Sequence, residues 1–100
     1  MAYELLYWPA ADDHLTMLES DPERADELEA VESTLNRLAE DPYNPRLGTT
    51  AFRTEQYGGI SATPVRGAPD DDWYVLWQRG AHRGELDIVA VVRLVTARSG

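Results

Sequence analysis

The sequence predicts one α+β domain over residues 1–100: an N-terminal strand, an αα-hairpin, then a three-stranded antiparallel meander, forming one sheet with the helices packed on one face. Three observations carry this prediction. Apolar residues recur at helical spacing between Ala11 and Leu38 and at strand spacing from Trp73 onward, and Pro or Gly stands at most changes of period. One hundred residues suffice for a single core of ordinary size.

Tyr3 to Trp8 is aromatic-rich and stops at Pro9, which predicts a strand. Its alternation is partial, as in a strand buried on both faces or set at a sheet centre. Ala11, Leu15 and Leu18 fall at i, i+4 and i+7, so a helix is expected from Ala10, with Pro9 near its first turn and Asp12 and Asp13 at the positive end of its dipole. Ser20 and Glu23 match a capping box, and Pro22 sits where a first helical turn tolerates it. The second helix then runs to about Glu40 with Leu28, Val31, Leu35 and Leu38 on one stripe. Asp41-Pro42 ends it, because proline disfavours helix in the residue before it.

Tyr43 to Tyr57 has no sustained period and is expected as a loop, with a short strand near Phe52. Ile60 to Arg66 is expected as a strand in which Pro64 requires an edge or a bulge. Gly67 to Asp72 is a turn. Trp73–Arg79 and Glu85–Val95, joined by Gly80–Gly84, make a hairpin. Trp73, Val75 and Trp77 share one face toward the helix stripe, and Tyr74 takes the other.

The net charge is −9, and there is no cysteine and no lysine. Absence of cysteine excludes a disulfide scaffold, thiolate metal sites and a Cys nucleophile, and suits a reducing compartment. The opening residues lack a basic n-region and their apolar run is broken by Glu4 and Pro9, so no signal peptide is expected. No stretch is long and apolar enough for a membrane span, and a cytoplasmic protein is expected. Residues 1–45 hold 12 of the 18 acids with only Arg24 and Arg37, whereas residues 46–100 hold 7 of the 9 arginines and are close to neutral. The acidity argues against generic polyanion binding, but any anion site belongs in the second half. No P-loop, H-E-x-x-H, G-x-S-x-G or dinucleotide fingerprint occurs, and Gly58-Gly59 opens no helix. Asp70-Asp71-Asp72 has no partner carboxylate at an EF-hand spacing, and no metal or other cofactor is expected. His82, beside Arg83 in a turn, has the chemistry of an acid–base group. His14 lies in an acidic first helical turn.

The helix end Leu35-Asn36-Arg37-Leu38-Ala39-Glu40-Asp41-Pro42, and the Trp73-Tyr74-Val75-Leu76-Trp77 strand followed by Leu86 to Arg93, resemble the corresponding segments of the RelE/ParE toxins of bacterial toxin–antitoxin pairs. With the element order, the resemblance covers nearly the whole chain. It implies a toxin neutralised by a cognate antitoxin, with ribosome-bound mRNA as substrate of a RelE-like endoribonuclease. Under it Arg66 matches an arginine on the strand before the WYVLW strand, and Arg93 the arginine near the end of the last strand. Arg46 and Arg53 lie in the loop where such enzymes place basic residues. The resemblance thus implies Arg66, Arg93 and Arg53 as catalytic cations. Arg46 would support substrate, with Tyr57 and Tyr74 stacking on bases. Tyr74 stands where the family carries an arginine, and with the net acidity this supports an alternative: the same fold without ribonuclease activity, as a protein-binding module or a gyrase-directed toxin.

Overall fold

The structure, a computed structural model, describes residues 2–56, 58–67 and 72–94. Strand β1 (Glu4–Tyr7) leads into α1 (Pro9–Glu19), a 3₁₀ turn at Pro22–Arg24 and α2 (Ala25–Glu40). After a second 3₁₀ turn at Pro45–Leu47 come β2 (Thr50–Thr54), β3 (Gly58–Pro64), β4 (Asp72–Arg79) and β5 (Glu85–Leu94). One five-stranded sheet has the order β1-β5-β4-β3-β2, with β1 parallel to β5 and every other pair antiparallel. The α+β class and the strand–αα–meander order stand. The segment near Phe52 is a full fourth strand of the meander, paired from Thr50–Ala62 to Thr54–Gly58.

Three local expectations are corrected. The first strand is an edge strand, with Leu6 and Tyr7 exposed; its parallel partner lies some eighty residues away, and the strand's own pattern carries no trace of that pairing. The third strand is internal, and Pro64 is its last residue. Val65 N donates to Trp73 O at 2.8 Å, so by alternation the missing N–H of Pro64 points away from β4, beyond the last β2–β3 rung. The cap before α2 is Asp21, whose carboxylate accepts from Glu23 N at 3.1 Å. Ser20 instead closes α1, its hydroxyl donating back to the Thr16 and Met17 carbonyls. A serine within reach of its own preceding turn bonds there, and the shorter Asp21–Glu23 spacing suits the 3₁₀ turn that Pro22 opens. Asp21→Ala is therefore expected to lower stability by about 1 kcal/mol, and Ser20→Ala by clearly less, in urea unfolding.

The core lies between the helices and one sheet face. Ala11 and Leu18 of α1 and Val31, Leu35 and Leu38 of α2 pack on Trp73, Val75, Trp77, Leu86, Ile88 and Val91. Strand β5 changes sides once. Trp77 pairs with Ile88 and Leu76 with Ala90, so Val89 is an extra residue, and the helix-side positions run Leu86, Ile88, Val91. Val89 and Ala90 face away and join Ile60, Trp8, Leu76 and Val92 in a second cluster on the opposite face.

Tyr7, at the edge, has its phenol pKa raised above 10.0 by partial burial and then by the charge of Glu32 on α2. A proton held more tightly in the folded state stabilises below about pH 10, and that contribution is lost as pH rises through the raised value. Tyr7→Phe should flatten the alkaline limb of the stability profile, read from urea midpoints between pH 8 and 11.

Candidate functional site

The helices cover β1, β5 and β4, and large side chains fill that half of the sheet face: Leu5, Leu86, Ile88, Val75 and Trp77. Across β3 and β2 the same face carries small residues. Ser61 is opposite Trp77, and Ala51 is opposite Ser61. One rung on, Gly59 is opposite Arg53, and extending the Ser61–Trp77 pairing by two residues puts Gly59 opposite Arg79. Small residues beside a helix-covered ridge leave an open groove of about 720 Å³, walled by Tyr43, Trp77, Arg79 and Arg53 and floored by Ala51, Gly59 and Ser61.

The two arginines thus stand on one rung with a glycine between them. Two inter-strand spacings separate their backbones, roughly 10 Å. A Cβ built on Gly59 meets nothing within 4 Å, so the space between the guanidinium stems is open. Arg79 Nε donates to the Tyr43 hydroxyl at 3.2 Å. The Tyr43 ring meets Trp77 edge-on, centroids 6.1 Å apart at 63°, and Tyr3 at 6.5 Å and 79°, yet Tyr43 stays 57% exposed. An aromatic ring fixed on two sides but open to solvent offers a stacking surface at little entropic cost.

Behind this wall, Trp77 Nε1 donates at 2.8 Å to Thr63 Oγ1, which lies 2.6 Å from Thr49 Oγ1. Thr63 is fully buried, and the chain fixes the Trp77 indole from beneath. At the end of α2, Tyr3 N donates to Ala39 O and Asp41 N to Arg37 O at 2.9 Å, which sets where the chain emerges into Tyr43.

The sequence-derived candidates divide between two ends of the sheet. Arg53 lies in the groove. Arg93 pairs with Trp73, and Val65, next to Arg66, also bonds Trp73, so both arginines belong to the far end. Six residue steps along β4 separate Trp73 from Arg79, roughly 20 Å, too far for one phosphate to engage both ends. Arg66 borders Asp26 and Glu29 at the start of α2, and its Nη2 would lie 3.3 Å from a Cβ on Gly48. Arg46 is exposed on the Pro45–Leu47 turn, its N–H bonded to the Asn44 side chain at 3.0 Å. Tyr74 pairs with Val92 on the face away from the helices and so lies outside the groove. Tyr57 falls outside the described residues, as do Asp70 and Asp71.

Arg79 and Tyr43 are the groove residues that sequence reasoning passed over. The signal for Arg79 was present: the period-two series Trp73, Val75, Trp77 continues to it. Tyr43 follows the helix-ending Asp41-Pro42 directly, but its ring contacts are long-range. The groove's described lining includes cations, hydroxyls and aromatic rings but no carboxylate or imidazole.

No protein-family model matches the sequence, and no curated protein matches it significantly. Among solved structures, a YoeB/ParE toxin from Agrobacterium tumefaciens superposes with a TM-score of 0.71 over 92% of this chain and 99% of that chain, at 8% identity. At such identity the likeness is one of architecture, and it agrees with the family that the helix end and the closing hairpin resemble. The chain has the fold of the RelE/ParE toxins.

Proposed function

We propose that this chain is the toxin of a type II toxin–antitoxin pair, held inactive by a cognate antitoxin in the cytoplasm, and that it acts on ribosome-bound mRNA as a RelE-like endoribonuclease. The observation that carries the proposal is the groove in which Arg53 and Arg79 share a rung across Gly59 beside the exposed ring of Tyr43. In RNA cleavage the 2′-oxygen bonds to the adjacent phosphorus and the P–O5′ bond breaks, giving a 2′,3′-cyclic phosphate and a 5′-hydroxyl. Water takes the 2′-hydroxyl proton and supplies one to the leaving oxygen, while negative charge develops on the phosphate. Two guanidiniums held by a rigid sheet stabilise that charge without reorganising. Tyr43 stacks on a base and orients the strand. Arginine stays protonated, so it serves as electrostatic partner and donor and never as base. The groove's contribution is therefore charge stabilisation and orientation.

The lack of a carboxylate or imidazole in the described lining supports a second use of the same fold, a toxin directed at DNA gyrase or a binding module without ribonuclease activity. Induced expression followed by mapping of transcript 5′ ends separates the two. New ends within coding regions, suppressed by co-expression of the neighbouring gene's product, are expected. Intact transcripts with relaxed plasmid topoisomers would replace the ribonuclease with the gyrase-directed toxin.

A further inference from the structure

Tyr43 and Arg79 form a partition with a cavity on each side. Beyond the groove a smaller cavity, about 260 Å³, lies between this partition, Tyr3 and the β4–β5 turn, where His82 and Arg83 line it. The two cavities repeat one chemistry. The groove has the rings of Trp77 and Tyr43 with Arg53 and Arg79; the smaller cavity has Tyr43 and Tyr3 with Arg79 and Arg83. Tyr43 meets a ring on either side edge-on, so it sits between the two spaces and belongs to both.

The turn that carries Arg83 is tightly held. Gly80 N donates to Glu85 O at 2.9 Å, and a Cβ on Gly80 would come within 2.9 Å of the Glu85 carbonyl carbon and oxygen. Gly84 takes φ +83°, a conformation that favours glycine. The Glu85 carboxylate is the one acid in the described lining, and it accepts from His82 N at 3.2 Å. Arg79 and Arg83 outweigh that single charge, which suits one phosphate and disfavours a dense polyanion.

We infer that this second cavity is a subsite for the next nucleotide of a single RNA strand, which crosses the Tyr43–Arg79 partition on its way out of the groove. The inference rests on the groove being an RNA site. The strand's phosphates meet Arg53 and Arg79 in the groove and Arg83 beyond it, and the base past the partition stacks against Tyr3 or Tyr43. Cationic side chains with interleaved rings recognise single strands without reading base edges, so the subsite adds affinity and direction without sequence choice.

Titration of the purified full chain with fluorescent single-stranded RNAs of two and six nucleotides tests this. The hexanucleotide should bind about tenfold tighter than the dinucleotide, the low end of what one stacked base contributes. Arg83→Ala should remove that gain, lower the slope of log affinity against log salt by about 0.7, and leave the dinucleotide unaffected. Arg53→Ala should weaken both. Hexanucleotide binding that ignores Arg83→Ala would overturn the subsite while leaving the groove's role intact, as would an equal loss for both lengths. Wild-type protein that binds neither RNA, or prefers an acidic peptide, would overturn the subsite together with the RNA assignment.

Discussion

Replacing Arg79 by alanine is expected to reduce the proposed RNA cleavage at least about 100-fold with no loss of fold. Arg79 is exposed, and its side chain bonds the Tyr43 hydroxyl at 3.2 Å, so truncation should change stability by no more than about 0.5 kcal/mol. The functional cost is of another order. A pre-placed donor that meets developing charge contributes about 100- to 1,000-fold in rate, because nothing has to reorganise when the charge appears. Arg79→Lys keeps a charge but loses the planar fork and the Nε donor to Tyr43, and should fall between wild type and alanine. The doubly substituted Arg66→Ala, Arg93→Ala chain should retain growth arrest, since both arginines stand roughly 20 Å from this rung. Growth curves after induction, with melting temperatures of the purified variants, check all three.

The largest effect on stability is expected at Trp77. It is 2% exposed and packed in the core between the helices and the groove floor. Trp77→Ala removes that packing and leaves a cavity, at a cost of about 3–5 kcal/mol. Against a total stability of roughly 5–15 kcal/mol, such a loss leaves a marginal fold. Trp77→Phe keeps most of the volume and deletes the indole N–H. Thr63 Oγ1 then still has Thr49 as partner, so this change should cost only about 1–2 kcal/mol. Urea unfolding of the two variants separates the packing contribution from the hydrogen bond.

What the sequence makes legible here is local, and what it hides is long-range. The helix stripe Leu28, Val31, Leu35, Leu38 and the face shared by Trp73, Val75 and Trp77 follow from period alone; Val31, Leu35 and Leu38 are buried, with Leu28 packed partly buried at the margin. The place of the first strand at an edge depends on a partner at residues 85–88. The extra residue Val89 depends on how β4 and β5 meet, and no spacing within the β5 run marks it. The groove is hidden for the same reason. It exists because the helices stop short of β3 and β2, where Gly59, Ser61 and Ala51 carry little side chain, and that coverage is set by strand order. The resemblance pointed to Arg66, Arg93 and Arg53, and strand register brings Arg53 together with Arg79, which no local pattern linked to it.

The net acidity keeps its first meaning. Asp12, Asp13, Asp26, Glu29 and Glu32 lie on exposed helix positions, away from the groove. A chain of −9 overall can therefore present a cationic groove on the opposite half of the sheet, with its local field set by Arg53 and Arg79.

That the open rung between Arg53 and Arg79 is the working site is tested most directly by Gly59→Leu. The position lies inside a strand, its Cβ would meet nothing within 4 Å, and glycine there contributes no packing, so stability should be unchanged or slightly higher. The leucine side chain would fill the floor between the two guanidiniums without altering any charge. Loss of growth arrest and of RNA binding at an unchanged melting temperature is the expected result. Full growth arrest from a folded Gly59→Leu chain would contradict the assignment of the groove.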